Sequence, residues 1–275
     1  MKNKSNFVFF GTPEVASETL EILKENGYTP SLIVTAPDKP KGRKMIITPP
    51  PVKTWAIENN IPCIQPEKLD IKEIWNVFRT LIPDFFLVVA YGKILPENLI
   101  NLPKLGSLNI HYSLLPKYRG ASPVESAILN GETETGVSIQ KMEFKMDSGP
   151  IISQEKVEIL PDEKAPDLRK RLIKIGGELL IKILSDFING KIKPVPQNES
   201  EVTYCKKIKK EDGLIDLNDD PIKNYNKFRA YYNWPRIFFF QNGKRIIITK
   251  AKLENDEFII EKIIPENGKE IDYKN

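Results

Sequence analysis

The chain has 275 residues, 41 Lys and Arg against 37 Asp and Glu, a formal net charge of +4, two cysteines and one histidine. That length accommodates one large domain or two unequal ones with an ample core. With no apolar run of about 20 residues and no export-type leader, neither a membrane nor secretion is expected, and a cytoplasmic location is. Cys63 and Cys205 lie far apart and are read as isolated thiols, and together with a lone histidine they cannot build a common transition-metal cage, so no metal is expected. A slight positive charge permits an anionic partner without demanding one.

In chain order, Phe7–Phe10 has the apolar character of a buried strand. Gly11-Thr12-Pro13-Glu14 reads as a helix start, with Thr12 as N-cap, Pro13 at the first helical position and Glu14 at the positive helix end. A dinucleotide fingerprint would need three spaced glycines here, and only Gly11 is present, which disfavours a nicotinamide enzyme but leaves a βαβ architecture standing. A second strand, Ser31–Val34, ends in residues 35–53, which carry five prolines and five basic residues. A loop of that length without secondary structure of its own is commonly functional. A helix around Lys53–Asn59, a short strand near Pro62–Ile64 and an amphipathic helix near Ile71–Leu81 follow. Asp84–Ala90 is a continuous apolar run typical of a central parallel strand, and it empties into Tyr91-Gly92.

Residues Gly106–His111 alternate apolar and polar like a half-buried strand. Asn109 and His111 are two apart, so on a strand they share a face. An amide donor and a titratable imidazole thus look into one cleft at a strand's C-terminal edge, where open α/β sheets bind ligands. Leu115-Pro116 and Arg119-Gly120 turn the strand into an ordered loop. A lone histidine is more often a satisfied polar residue at a strand end. Here the specificity of the loop behind it, and a carboxylate offered by Asp147 in the turn Met142–Ile152, favour a functional reading. Pro123–Asn130 reads as helix, Gly136–Met142 and Ile151–Ile159 as strands flanking the Asp147 turn, and Ala165–Asn189 as a long helix. Gly190–Ser200 is polar and proline-containing, as a linker would be. Beyond it come a helix near Pro221–Tyr232 and strands at Ile237–Phe240, Arg245–Lys250 and Phe258–Ile264.

The run Asn109-x-His111-x-Ser113-Leu114-Leu115-Pro116-x-x-Arg119-Gly120-x-x-Pro123, followed by Gly136-Val-Ser-Ile and Asp147-x-Gly149-x-Ile151, resembles the folate-dependent formyltransferases. The likeness extends from Phe7 to about Lys252. It implies an α/β fold: a Rossmann-like formyltransferase domain with a mostly parallel sheet at residues 1–190, a linker at 191–205, and an OB-like β-barrel at 206–275. That barrel is shorter than the family's, lacking a hairpin after the Lys252–Phe258 region, and Trp234-Pro235 sits where a Trp-Pro pair is expected.

The resemblance also implies 10-formyltetrahydrofolate as co-substrate, held near Val89, Ala90, Tyr91, Gly92, Ser113, Leu114, Leu115, Pro116 and Gly136. Asn109, His111 and Asp147 are the implied catalytic residues. By residue type, Asn109 suits donation to a developing oxyanion, His111 suits proton sharing near neutral pH, and Asp147 suits fixing the ring. The start and end of the 37–53 loop resemble the branch that acts on initiator methionyl-tRNA, which makes Lys41, Arg43 and Lys44 candidate tRNA contacts. A monomer is expected. A nucleotide-sugar amine formyltransferase would share Asn109, His111 and Asp147 but has no use for a basic loop. A formate-releasing hydrolase is a third possibility, and a non-catalytic RNA-binding protein on the same scaffold is the alternative from another class.

Overall fold

In the computed structural model, residues 6–42, 44–69 and 71–274 are described. The first half runs β1 (Phe7–Gly11), α1 (Glu14–Glu25), β2 (Leu32–Val34), β3 (Lys39–Lys41), β4 (Ile46–Thr48), α2 (Pro51–Glu58), β5 (Cys63–Ile64), α3 (Lys72–Leu81) and β6 (Phe85–Val89). It continues through α4 (Glu97–Ile100), β7 (Ser107–His111), β8 (Arg119–Gly120), α5 (Pro123–Leu129), β9 (Glu134–Lys141), β10 (Ile151–Glu158) and α6 (Ala165–Ile188). The remainder holds β11 (Tyr204–Cys205), α7 (Pro221–Ala230), β12 (Phe238–Gln241), β13 (Lys244–Glu254), β14 (Glu257–Pro265) and β15 (Ile271–Asp272). Among the described residues no helix is long and apolar enough to cross a membrane.

Seven strands form the central sheet in the order β10-β9-β7-β6-β1-β2-β5, with β7, β6, β1, β2 and β5 parallel and β9 antiparallel to both of its neighbours. Apolar runs without alternation occur here because both faces are covered. On β1, Phe7 and Phe9 join one core with α1, α5 and α6, while Val8 and Phe10 join the other with α3 and α4. β6 repeats the pattern, Phe85, Leu87 and Val89 against Phe86 and Val88. The chain leaves β1 toward β2 and returns to β6 on β1's other side. This reversal opens a crevice at the C-terminal ends of β1 and β6, the usual ligand position in such sheets.

Two expectations change at that crevice. Thr12 is not the helix cap: α1 starts at Glu14 with Pro13 as N-cap, and the Thr12 Oγ1 donates instead to the Tyr91 carbonyl at 2.9 Å, tying the two strand ends together. The 35–53 stretch is not structureless. Lys39–Lys41 pairs antiparallel with Ile46–Thr48 as a hairpin, and Pro51 already opens α2. Pro40 and the cations had masked this strand signal. The hairpin's base is fixed by Lys53, whose Nζ donates to both Asp38 oxygens at 2.9 and 2.8 Å, while Gln65 Nε2 donates to Asp38 Oδ1 and to the Ala36 carbonyl.

The small C-terminal β domain is the antiparallel sheet β12-β13-β14-β15 with α7 packed on it. The β13–β14 connection is a two-residue turn of Asn255 and Asp256, both at positive φ, as right-twisted hairpins prefer. Arg229 and Tyr225 of α7 dock this unit. Arg229 Nη1 reaches the Leu160 and Glu163 carbonyls at 3.4 and 3.5 Å, and the Tyr225 hydroxyl donates to Asp162 Oδ1 at 2.7 Å.

Burial pushes the phenols of Tyr91, Tyr118, Tyr225 and Tyr231 up to about 12 and also raises Tyr112, from an ordinary value of 10. Between pH 10 and 12 the unfolded chain therefore releases protons that the folded chain keeps, so stability held below pH 10 falls as pH rises through that window. Phenolate absorbance and denaturant midpoints measured together should show these tyrosines ionising as structure is lost. Complete ionisation of all nine tyrosines with an unchanged midpoint would contradict their burial.

Candidate active site

On β7, Leu108 and Ile110 enter the α1/α6 core, which turns Asn109 and His111 to the opposite face. β9 lies alongside with Gln140 opposite Asn109 and Ser138 opposite His111. His111 is buried, its Nε2 2.9 Å from the Tyr118 carbonyl oxygen. A carbonyl only accepts, so Nε2 carries the proton, and Nδ1 faces Asp147 Oδ2 at 3.7 Å, beyond hydrogen-bond range but within ion-pair range.

The Asp147 side chain is 15% exposed and approached from several segments. Its Oδ1 accepts from Gln140 Nε2 at 3.0 Å and faces Asn109 Nδ2 at 3.5 Å, and its Oδ2 accepts the Gly120 N–H at 2.8 Å. The turn that delivers Asp147 closes where Lys141 N–H bonds the Pro150 carbonyl at 2.9 Å. Inside it Gly149 lies so close to the Lys141 carbonyl that a Cβ would overlap it, and Asp147 takes φ +50, a conformation a short polar side chain tolerates.

The residues expected near the folate gather at the same edge with unequal freedom. Val89 ends β6 opposite Gly11, Ala90 is exposed, and Gly92 at φ +81 has open space where a Cβ would stand. The Tyr91 ring is buried edge-on against Phe10, with centroids 5.5 Å apart, so its side chain is core rather than cleft. Ser113, Leu114, Leu115, Pro116 and Gly136 shape the loop beyond β7. Ser113 Oγ donates to the Lys117 carbonyl, and Ser138 Oγ accepts from Leu115 N–H and donates to the Ser113 carbonyl. Leu114 packs where a side chain on Gly136 would have to stand. Of the expected tRNA contacts, Lys41 and Lys44 are exposed on the β3–β4 hairpin, and Arg43 lies outside the described residues. Lys53, bound to Asp38, is not a free cation.

Four participants were missed in the sequence. Gln140 had a signal, since it alternates with Ser138 on β9, but only the β7–β9 register shows which residue it meets. The Gly120 amide and the Tyr118 carbonyl are main-chain groups with no side-chain signature. Arg119, which reads as a turn residue, is wholly buried and bonds Gln197 and Glu199. Its guanidinium holds the Glu199 carboxyl below the usual range.

An amide, an imidazole and a carboxylate near the switch-point edge of an open α/β sheet are the parts that proton-assisted group transfer requires. Among the described residues no group of three or more His, Cys, Asp or Glu is placed to hold a metal ion. The chain belongs to the formyl transferase family: the family's own model matches residues 4–184, and the formyl transferase C-terminal domain matches residues 207–274. The methionyl-tRNA formyltransferase of Dictyoglomus turgidum is 44% identical over 271 residues, 95% of this chain and 85% of that one. That of Thermotoga maritima is 46% identical over 228 residues, 83% of this chain and 73% of that one. Among solved structures, the fold resembles a methionyl-tRNA formyltransferase from Clostridium thermocellum, with a TM-score of 0.63 at 17% identity, covering 98% of this chain and 100% of that one. It also resembles an N-formyltransferase from Helicobacter canadensis in complex with folinic acid and dTDP-3-aminofucose, with a TM-score of 0.69 at 22% identity, covering 98% of this chain and 100% of that one.

Gly120 tests the site's tolerance. It sits at φ +126, and an added Cβ would overlap the Cys205 carbonyl of the paired strand β11. Gly120→Ala should lower stability by about 1–3 kcal/mol, read as a drop in thermal midpoint. An unchanged midpoint would show that the 204–205 segment yields freely.

Proposed function

We propose that the chain is a methionyl-tRNA formyltransferase, transferring the formyl group of 10-formyltetrahydrofolate to the α-amino group of methionine on initiator tRNA. The observation that carries the chemistry is the convergence of Asn109, His111 and Asp147, from two segments 36 or more residues apart, on one polar face of the sheet. The acceptor is supported by relatives more than 40% identical over most of both chains that bear this activity in their names. The likeness to sugar formyltransferases stays below 25% identity and speaks for the shared fold.

The donor's ring fits the crevice between β1 and β6, where Ala90 is exposed and Gly92 leaves open space for a flat group to lie against main chain. Bound there, 10-formyltetrahydrofolate supplies an activated formyl carbon. Asn109 is the oxyanion donor. Its 3.5 Å approach to Asp147 is long, so the amide gives up little when it turns to a developing negative oxygen. His111 and Asp147 handle the proton. The Tyr118 carbonyl fixes the tautomer, leaving Nδ1 toward the carboxylate. The pair takes the proton lost by the attacking amine and returns one to the departing nitrogen, so the protons balance without a covalent intermediate on the protein.

The β3–β4 hairpin is the proposed tRNA contact. Lys39, Lys41 and Lys44 are exposed on it beside Met45, Ile46 and Ile47, which are 66%, 61% and 70% exposed. Cations that displace counterions from phosphates, set beside apolar side chains able to pack on an end base pair, suit an acceptor stem. In this reading the protein acts as a monomer.

Purified protein with 10-formyltetrahydrofolate, offered charged initiator tRNA or a dTDP-amino sugar in parallel, should yield formylmethionyl-tRNA. Formylated sugar alone, or formate without an acceptor, would replace the reading with a sugar formyltransferase or a hydrolase. Asn109→Ala should lower kcat by about 10²–10³ with donor binding nearly unchanged, because the lost bond belongs to the transition state. A kcat within a few-fold of wild type would remove Asn109 from that role. Replacing Lys41 and Lys44 together with alanine should weaken tRNA binding and reduce the salt slope by about two, at unchanged donor affinity. Parallel slopes for the two proteins would take the hairpin out of the RNA interface.

A further inference from the structure

Arg119 is the largest fully buried side chain described, at 0% exposure, and a buried guanidinium must have its donors satisfied. Its Nε and Nη2 donate to Gln197 Oε1 at 3.0 and 2.8 Å, and Nη2 also donates to Glu199 Oε1 at 2.7 Å. These bonds fix which way the Gln197 amide points. Its oxygen faces Arg119, so its Nε2 faces the opposite side, where it donates to the Asp147 carbonyl at 2.9 Å and the Gly149 carbonyl at 2.7 Å. Both amide hydrogens are used, one on each side of Ser148. Two residues earlier, Val195 and Ile151 exchange main-chain bonds at 2.8 and 2.7 Å, which anchors the backbone that presents Gln197.

The consequence is a double grip on one residue. Gly120, next in sequence to Arg119, donates to the Asp147 side chain, while Arg119 acts through Gln197 on the Asp147 main chain. We propose that Gln197 is a positioning residue for formyl transfer: from outside the sheet, it holds the 147–149 backbone so that the Asp147 carboxylate stays within reach of Asn109 and His111. The proposal rests on the catalytic reading of Asp147 given above. It makes the segment 191–205, which reads as a spacer, part of the site's support.

Gln197→Glu separates this role from simple pairing with Arg119. The carboxylate keeps an oxygen toward the guanidinium and adds an opposite charge, so the fold is retained, but it removes both donors and sets an acceptor against two carbonyls. The expected result is a folded protein with kcat reduced about 10- to 100-fold and KM for 10-formyltetrahydrofolate within about three-fold of wild type, since small misplacements of reacting groups cost rate before affinity. A folded variant with wild-type kcat would overturn the proposal. Should the glutamate variant not fold, Gln197→Met, of similar length and neutral, removes the same two donors and is held to the same outcomes.

A second readout does not depend on turnover. With one histidine in the chain, the His111 ring protons give a single NMR signal set in the intact protein. Gln197→Glu and Asp147→Ala should move it in the same direction. Loss of formyl transfer to methionyl-tRNA in the wild-type protein would sink the functional reading alone, whereas an unmoved His111 signal in folded Gln197→Glu would sink the positioning role alone.

Discussion

A partly buried carboxylate has to have its lone pairs met, and the protein meets those of Asp147 with donors from three segments. Gln140 donates from β9, Gly120 from the loop after β7, Asn109 faces it from β7, and the His111 ring stands at ion-pair distance. None of these groups is near Asp147 in sequence except Gln140. The site therefore exists only when β7, β9, the 113–120 loop and the 142–149 turn are all in place together. That requirement turns local folding errors into losses of geometry at one oxygen pair, and it explains why so much main chain nearby is pinned. Tyr118 N–H is held by Thr203 Oγ1, and Arg119 N–H by the Thr203 carbonyl.

Close main-chain approach is the other condition. Gly149 lies against the Lys141 carbonyl, Gly120 against that of Cys205, and Gly136 against Leu114 and the Glu155 carbonyl. At each place any side chain would force two segments apart. These three glycines set the distance at which the Asp147 turn, the loop after β7 and the edge strand β10 pack. They act on the carboxylate's position as directly as its hydrogen-bond donors do.

How much of this could be read in advance depends on whether a signal was local. Period-two alternation placed Asn109 and His111 on one face, because side-chain direction on a strand is a property of the strand alone. The apolar runs at Phe7 and Phe85 gave the sheet centre for the same reason. The motif around Asn109, with the Asp147 turn, gave the candidate catalytic set through resemblance. Gln140 was out of reach because its meeting with Asp147 depends on cross-strand register. Gln197 was out of reach because a polar residue among prolines looks the same whether it is solvated or bonded to carbonyls 48 and 50 positions away. The β3–β4 hairpin failed for a different reason: its strands have no core to face, so there is no alternation to read, and Pro40 and the lysines suppress ordinary strand propensity.

That last difference bears on how one scaffold can serve unlike acceptors. The groups assigned to the chemistry sit on β7 and on a turn locked to β9, in a sheet whose central strands β1 and β6 are packed on both faces. The hairpin assigned to tRNA sits outside both cores, held at its base by Asp38, Lys53 and Gln65. An insertion anchored only at its base can change length, charge and tip without disturbing the packed sheet. Under the proposed function, selection of the acceptor is thereby separated from the transfer step: the hairpin is free to change, while the transfer groups are confined by three hydrogen-bond donors on Asp147 and three close backbone contacts. A substitution in the hairpin should accordingly act on tRNA binding, and one among the Asp147 contacts on turnover.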